Sequence, residues 1–455
     1  MKIAIACDHG ALALKEAVKA HLTARGMECV DFGTFTKDSC DYPDFARPAA
    51  EAVSTGACER GIVMCTTGIG VSITANKVHG IRCALLSDPV SARLTREHND
   101  ANMMALGAGF VGELLARIRS VIGDVTKIDY IVSNHAEPDH SGGLPATIEA
   151  IKPEKVFASP VGQKTLTAYY GDLGITPVKT GEAISIGKGN IAFVETKMLH
   201  WPDSMVTYLD SEKILFSQDA FGMHLAGSRR FADEYAPFIL EYEGRKYFAN
   251  ILNHLAPKVI ELLDALPGLN LDIQMIAPDH GPIWRRPEDI RWILDLYRDC
   301  AMQLPKPRAV VAFSTMWHST ERLAEALADG IRSAGVEVKV MDLHVNDRSA
   351  VMTEVANCGL MAFGAPTMNN QVFPDMADIL CYVKGLRPKN KIGFAFSSYG
   401  WSGEGGKQIA AELTAMGAEQ PCELFQVKYM PTAEDMKRMF ENGEKLGRLL
   451  LERVK

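Results

Sequence analysis

A chain of 455 residues with a formal charge of −8 has room for about three domains by the usual length prior, and its scattered Lys and Arg offer no basic surface for nucleic acid or an anionic membrane. No apolar run approaches the roughly 18 residues of a membrane span, and the start, Met1-Lys2-Ile3-Ala4-Ile5-Ala6, reads as a first strand rather than a leader. The expectation is a cytoplasmic protein with no nucleic-acid or membrane partner. The ten cysteines include no Cys-x-x-Cys pair, which argues against a zinc ribbon, a rubredoxin-type iron site or an iron–sulfur cluster. Most should be reduced and structural.

Over residues 1 to about 118, short apolar strands alternate with helical segments. The strands are Ile3 to Ala6, Glu28 to Asp31, Gly61 to Met64, Cys83 to Leu86 and Met103 to Ala105; the helices start near Ala11, span Phe45 to Val53 and follow Gly70. This alternation predicts a doubly wound parallel sheet, whose ligands sit at strand carboxyl ends. Three polar clusters are expected there: Cys7-Asp8-His9, Cys65-Thr66-Thr67-Gly68-Ile69-Gly70-Val71-Ser72, and His98-Asn99-Asp100 ahead of the fifth strand. Glycines opening a helix let backbone N–H groups approach an anion such as a phosphate or an enediolate. Cys65, just before that helix, would have its thiolate favoured and could abstract a proton, although a buried cysteine in a tight turn is an equal alternative. Asp8-His9 and His98-Asn99-Asp100, taken singly, are more often satisfied surface groups.

Together CDHG, DYPDFA, CTTGIGVSITANK, GIR and HNDANMMALG, in this order and spacing, resemble the B-type ribose-5-phosphate isomerases. The resemblance implies Cys65 as the base moving a proton between C1 and C2, and Thr67 with Gly68 and Gly70 stabilising the enediolate. It also implies His98 as the group opening the sugar ring, Asp8 and His9 as substrate contacts, and a site built between two subunits. The family usually carries an arginine where Gly109 stands and further phosphate-binding arginines on a helical tail that has no counterpart here. Each such contact is worth roughly 1.5–3 kcal/mol, so the isomerase reaction is held as an alternative.

From Lys127 to about 305, strands are separated by longer, irregular connections. The apolar run Tyr130-Ile131-Val132 leads into His135-Ala136-Glu137-Pro138-Asp139-His140, four potential ligands dense enough to hold two cations. Later strands each deliver one His or Asp at their ends: Ala192-Phe193-Val194 leads towards His200, Ile214-Leu215-Phe216-Ser217 to Asp219, and Met275-Ile276-Ala277-Pro278 to His280. A shared metal centre explains this repetition more economically than separate accidents.

The arrangement resembles the metallo-β-lactamase superfamily and, within it, the flavodiiron proteins. Glu137 discriminates, because hydrolases of that superfamily commonly place a histidine there and bind zinc, whereas hard carboxylates with imidazoles suit redox iron. The resemblance implies two irons, one on His135, Glu137 and His200, the other on Asp139, His140 and His280, with Asp219 bridging. His224 and His254 match no such role and read as structural or surface groups, while Asp279 is a candidate support for its neighbour. Flavodiiron proteins normally place several strands before this loop, but the segment here resembles a different fold. The central αββα sandwich over 119–305 is therefore expected to be partial, with a seam near Glu113 to Ile118 that makes a recombined or artificial fusion credible.

Leu304-Pro305-Lys306-Pro307 reads as a linker. Beyond it, strands at Ala309 to Phe313, Val336 to Met341, Gly359 to Gly364, Lys391 to Phe396 and Glu423 to Val427 alternate with helices over 306–455, again doubly wound. Ser314-Thr315-Met316-Trp317-His318-Ser319-Thr320 places hydroxyls and N–H groups at a helix start with no lysine, which suits a mononucleotide phosphate rather than a triphosphate. Two further loops, with Pro366, Thr367, Asn369 and Asn370 in one and Ser398, Tyr399, Gly400, Trp401 and Gly403 in the other, sit where a flavin ring would lie, and Trp317, Tyr399 and Trp401 could flank it. A serine-rich turn with core aromatics is the plainer reading. GAPTMNN and SSYGWSGE resemble flavodoxin in its flavodiiron version, which implies FMN.

The fold class expected is therefore α/β and α+β multidomain. The function that the larger resemblance implies is reduction of dioxygen to water or of nitric oxide to nitrous oxide. It further implies an external electron donor such as rubredoxin or a flavin reductase, and a head-to-tail dimer or tetramer. A metallo-β-lactamase-type zinc hydrolase is a further alternative, disfavoured by Glu137.

Overall fold

The computed structural model describes residues 1–86, 89–107 and 128–454 together with four isolated positions between 108 and 127. Gly109 and most of the seam at 113–118 lie outside the described residues. The chain divides into two compact units, Met1–Ile131 with Gly142–Glu154, and Val132–Ser141 with Lys155–Lys455.

In the first unit β1 (Lys2–Cys7), α1 (Leu12–Ala24), β2 (Glu28–Asp31), α2 (Pro43–Ser54), β3 (Arg60–Cys65), α3 (Ile69–Asn76), β4 (Cys83–Leu85), α4 (Pro89–Asn99) and β5 (Met103–Gly107) follow in order. The five strands form a parallel sheet in the order β2-β1-β3-β5-β4. Near-continuous apolar runs such as KIAIAC are what a sheet covered on both faces requires. Alternation sends Ala4 and Ala6 to the face covered by α2 and α3, and Ile3, Ile5 and Cys7 to the face covered by α1.

One charged group belongs to this core. The Lys15 side chain is fully buried, with its Nζ 3.1 Å from Asp31 Oδ1 and donating to the Thr34 carbonyl at 2.9 Å. Burial of the Asp31 carboxyl opposes its ionisation, but hydrogen bonds from Lys19, the Gly33 N–H and Lys15 hold it below the usual carboxylate value.

The second unit carries β6 (Tyr130–Ser133) from Val132 onward, β7 (Lys155–Ala158), β8 (Ile175–Pro177), β9 (Ala183–Ser185), β10 (Asn190–Glu195), β11 (Met205–Leu209), β12 (Ile214–Gln218) and β13 (Met275–Pro278). β7 and β8 pair in parallel and, with the end of β6, make a small three-stranded sheet. The other sheet has the order β13-β12-β11-β10-β9, antiparallel except that β12 and β13 run together. Its core face packs Tyr208, Leu215 and Ile276 against Phe248, Trp284 and Tyr297.

The remainder of this unit is a parallel sheet of β14 (Arg308–Phe313), β15 (Glu337–Asp342), β16 (Leu360–Met368), β18 (Ile392–Tyr399) and β19 (Phe425–Lys428), with the short β17 (Gln371–Val372) hairpinned onto β16. The order β15-β14-β16-β18-β19 is the 2-1-3-4-5 winding of flavodoxin-like folds. Next to the segment read as a linker, the junction is bonded on both sides. Gln303 donates to the Asn253 carbonyl at 3.1 Å and accepts from the Lys389 N–H at 2.8 Å, and Asn253 donates to the Leu386 carbonyl at 2.8 Å. Buried amides satisfied by backbone from the far side of a junction hold it fixed, which proline content alone does not reveal.

Among the described residues no helix is long and apolar enough to cross a membrane. Lys15→Met should fill the same volume but strand the Asp31 charge. The expected loss is about 3 kcal/mol in denaturant unfolding, the low end for a broken buried pair, because Asp31 keeps Lys19 at 2.9 Å.

Candidate metal centre and flavin site

Four separate segments of the second unit converge on one point. β6 leads to His135 and Glu137, and a single turn at Pro138–Ser141 carries Asp139 and His140. The connection from β10 to β11 brings His200. Asp219 and His280 stand just beyond the ends of β12 and β13, and these strands are parallel neighbours, so their carboxyl ends lie side by side.

The ligand atoms fall into two groups, His135, Glu137, His200 and Asp219 in one and Asp139, His140 and His280 in the other, each within 4.8 Å of one another. Asp219 joins the groups through its two oxygens. Its Oδ2 lies 3.4 Å from His135 Nε2 and 3.3 Å from His200 Nε2, while its Oδ1 lies 3.2 Å from His140 Nε2 and 3.3 Å from His280 Nε2. Glu137 Oε2 faces His135 and His200 at 3.2 and 3.1 Å, and Asp139 Oδ2 faces His140 and His280 at 3.5 and 3.2 Å. All seven sequence-predicted metal ligands are thus brought together.

This donor set fits two metal ions. His140 Nε2 and Asp219 Oδ2 are buried without a hydrogen-bond partner, a costly arrangement unless something else occupies their lone pairs. Mixed imidazole and carboxylate donors suit iron. Burial works against charging His140, but the close carboxylates of Asp219 and Asp279 prevail and push it up to about 10. The Asp219 carboxyl is held well below the carboxylate range: burial opposes this, and the close imidazoles of His140 and His200 outweigh it.

Sequence reading missed Asp203. It lies three residues after His200, and its Oδ2 is 3.1 Å from His135 Nδ1 and accepts from the Ala136 N–H at 2.7 Å. An acidic residue soon after a ligand was the available signal. Asp279, a candidate support for its neighbour His280, stands instead behind His140, with Oδ2 at 3.2 Å from Nδ1. His224, read as structural or surface, is exposed, and its ring stacks edge-on at 5.2 Å from that of His280. Tyr247 is also buried beside Asp219, and burial followed by that charge pushes its phenol upward.

The flavin-type loops all follow carboxyl ends of the 2-1-3-4-5 sheet. After β14, Ser314 and Thr320 are buried, and Ser314 Oγ and Thr315 Oγ1 have no partner, hydroxyls waiting for an acceptor at the start of helix Ser319–Ser333. His318 takes a left-handed φ of 64° there and Ser319 Oγ donates to Met430 Sδ. Thr320 Oγ1 meets Ser398 Oγ at 2.8 Å across β14 and β18. Pro366 and Thr367 end β16, and Thr367 Oγ1 accepts from the Gly405 N–H. Asn369 and Asn370 adopt φ of 52° and 59°, with Asn370 accepting from Ser402 Oγ at 2.9 Å. Tyr399 ends β18, Gly400, Trp401 and Gly403 follow it, and Gln426 donates to the Gly403 carbonyl. Trp317 and Trp401 are 80% and 85% exposed, and Met316 is exposed beside them. Indoles so exposed at a sheet's carboxyl edge fit rings that cover a flat aromatic ligand.

In the first unit Asp8, buried, caps the turn at Gly10, and His9 Nδ1 accepts from the Cys40 N–H at 3.2 Å. Cys65 is buried, and its Sγ accepts from the Gly68 N–H at 3.1 Å. Thr67 Oγ1 accepts from the Ile69 N–H, and Gly70 lies against the Tyr42 ring. β1 and β3 are paired neighbours, so these residues share one edge. His98-Asn99-Asp100 does not join them, contrary to the expectation of three clusters at carboxyl ends. Asp100 is bound by Arg82 at 2.6 Å, and Arg82 and Asn102 bond each other just before β4 and β5 begin. A crossover helix in a parallel sheet returns the chain to the amino edge, and α4 leaves His98 there.

The His140 pairing sets a measurable sign. Its raised value adds stability to metal-free protein that is complete below about 6.5 and is lost as pH rises through about 10. Ferrous iron must displace that proton, so adding it to metal-free protein at pH 7 should release protons to an indicator dye, and the release should fade above pH 10.

Comparison with known proteins accords with this geometry. Residues 3–120 match the model of the Ribose/Galactose Isomerase family, residues 95–281 that of the ODP family beta lactamase, and residues 311–443 that of Flavodoxin. The rubredoxin-oxygen oxidoreductase of Megalodesulfovibrio gigas is 41% identical over 82% of this chain and 93% of its own length. The nitric oxide reductase of Moorella thermoacetica is 41% identical over 74% and 85%. Among solved structures, the flavodiiron protein from Giardia intestinalis superposes with a TM-score of 0.72 at 32% identity, covering 76% of this chain and 85% of that one. With both ligand groups and the three flavin loops in place, the chain belongs to the flavodiiron proteins, oxidoreductases that work with FMN and a non-haem iron pair.

Proposed function

We propose that this protein reduces dioxygen to water, or nitric oxide to nitrous oxide, with electrons passed through FMN to the iron pair. The observation that carries the reading is Asp219, whose two oxygens face the two ligand groups at 3.2–3.4 Å. His135, Glu137 and His200 would hold one iron, Asp139, His140 and His280 the other, and Asp219 would bridge them. Ser314, Thr315, Met316, Trp317, His318, Ser319 and Thr320 would bind the FMN phosphate end. Pro366, Thr367, Asn369, Asn370, Ser398, Tyr399, Gly400, Trp401 and Gly403 would hold its ring. Reduced FMN and a diferrous pair each supply two electrons, together the four that convert one dioxygen and four protons to two waters, or twice the two that convert two nitric oxides to nitrous oxide and water.

The chain's own residues set the conditions for this. Paired carboxylates and imidazoles keep the partly buried site charged and polar, and the exposed Trp317 and Trp401 leave the flavin edge open to a donor. The names of the relatives support rubredoxin as a donor class; a flavin reductase is the other source. Because the metal ligands and the flavin loops hang from different sheets, a head-to-tail dimer or tetramer that sets one chain's FMN against its partner's irons completes the route. We place the domain boundaries at 1–118, 119–305 and 306–455, and the protein in the cytoplasm.

A second activity, ribose 5-phosphate to ribulose 5-phosphate isomerisation, is favoured by one observation, the Gly68 N–H donated to Cys65 Sγ. In that reading Cys65 is the base, Thr67 and the following amides steady the enediolate, Asp8 and His9 contact the sugar phosphate, and His98 would have to come from another subunit.

Asp219→Ala should lose both irons and all dioxygen consumption while keeping FMN. Retained iron and activity would refute the bridging role, and zinc in place of iron in the native protein would point instead to a hydrolase. For the isomerase, Cys65→Ala should abolish conversion of ribose 5-phosphate, and an unchanged rate would remove Cys65 from the mechanism.

A further inference from the structure

Each iron position has one histidine whose outward nitrogen is held by a carboxylate, but the two carboxylates differ. Asp203 is 2% exposed and lies behind a His135 side chain that is fully buried. Its Oδ2 takes both the His135 Nδ1 contact at 3.1 Å and the Ala136 N–H at 2.7 Å. Its own backbone carbonyl accepts from Ser159 Oγ at 2.7 Å, and that hydroxyl is fixed in turn by the Gly162 N–H at 3.0 Å. Asp279, which faces His140 Nδ1 at 3.2 Å, is 38% exposed at its side chain.

A carboxylate only accepts, so His135 carries its proton on Nδ1 and turns the Nε2 lone pair towards Glu137 and Asp219. A charge-assisted bond in a dry site is stronger than the same bond in water, and such bonds raise the basicity of a ligating histidine and fix its ring. Water and counter-ions weaken the equivalent bond at Asp279.

We propose that Asp203 is the positioning residue that fixes His135 as a ligand. Through it, the position formed by His135, Glu137 and His200 is the more tightly held of the two. The two irons are thus inequivalent by construction, although their ligands number alike. The inference rests on the diiron reading of the site.

The test uses the full-length holoprotein. Ferrous iron is removed by a chelator under anaerobic conditions, and native protein should release its iron in two phases. Asp203→Ala should accelerate the slower phase by about 10- to 100-fold, the usual range for loss of such a partner. Asp203→Asn keeps an acceptor for both N–H groups but no charge, and should fall between. Asp279→Asn should accelerate only the faster phase.

A readout that a merely structural role would not move is Mössbauer spectroscopy of the diferrous protein. Asp203→Asn should shift one quadrupole doublet and Asp279→Asn the other, with FMN content unchanged. If Asp203→Ala does not fold, Asp203→Asn alone decides, through its release rate and its spectrum. Native protein with two irons whose slow release and spectrum are unmoved by Asp203→Asn would overturn this inference alone. Native protein that takes up no ferrous iron would overturn the diiron reading and this inference with it.

Discussion

The carboxylate of Asp219, whose two oxygens face both ligand groups, is the interaction on which the site depends. It is 2% exposed, and four imidazole nitrogens converge on it from three other segments of chain. Without a cation such crowding would be hard to hold, since four histidines cannot all charge in one buried pocket. Two divalent ions would resolve the conflict by taking the lone pairs, and the partnerless His140 Nε2 and Asp219 Oδ2 fit that role. The parallel pairing of β12 with β13 is what permits this, because it sets Asp219 and His280 at adjacent strand ends.

The second dependence is rigidity between the metal-bearing and flavin-bearing sheets of the same unit. Asn253, Gln303 and Lys389 form a chain of bonds across the junction. Arg245 adds contacts to Asp299 at 2.8 Å and Asn357 at 3.1 Å. Burial works against the Arg245 charge, and Asp299 restores it. A junction tied by buried amides and a paired guanidinium offers no hinge, so movement of the flavin towards the irons of its own chain would break several satisfied bonds at once.

Much of the site was legible because its signals are local. His135 to His140 are six consecutive residues, and Asp219 and His280 each follow a run that alternation and apolarity mark as strand. Flavin loops were legible for the same reason, since each begins where an apolar run stops. Asp203 was not, because its partner is 68 residues away and only the folded connection from β10 to β11 brings it behind His135. His98 was misplaced because a strand's start and end look alike in sequence, whereas a crossover helix delivers it to the amino edge. The two prolines of Leu304–Pro307 suggest a linker, while the amides that tie this junction lie at Asn253, Gln303 and Lys389.

The measurement that tests the account most directly is an anaerobic reductive titration of the purified holoprotein, followed by a stoichiometric pulse of dioxygen. The account predicts about four electrons taken up per chain, two by FMN and two by the irons, and complete return to the oxidised spectrum with one dioxygen and no hydrogen peroxide. Uptake of only two electrons, with peroxide as the product, would show a flavin acting alone and would contradict the diiron centre.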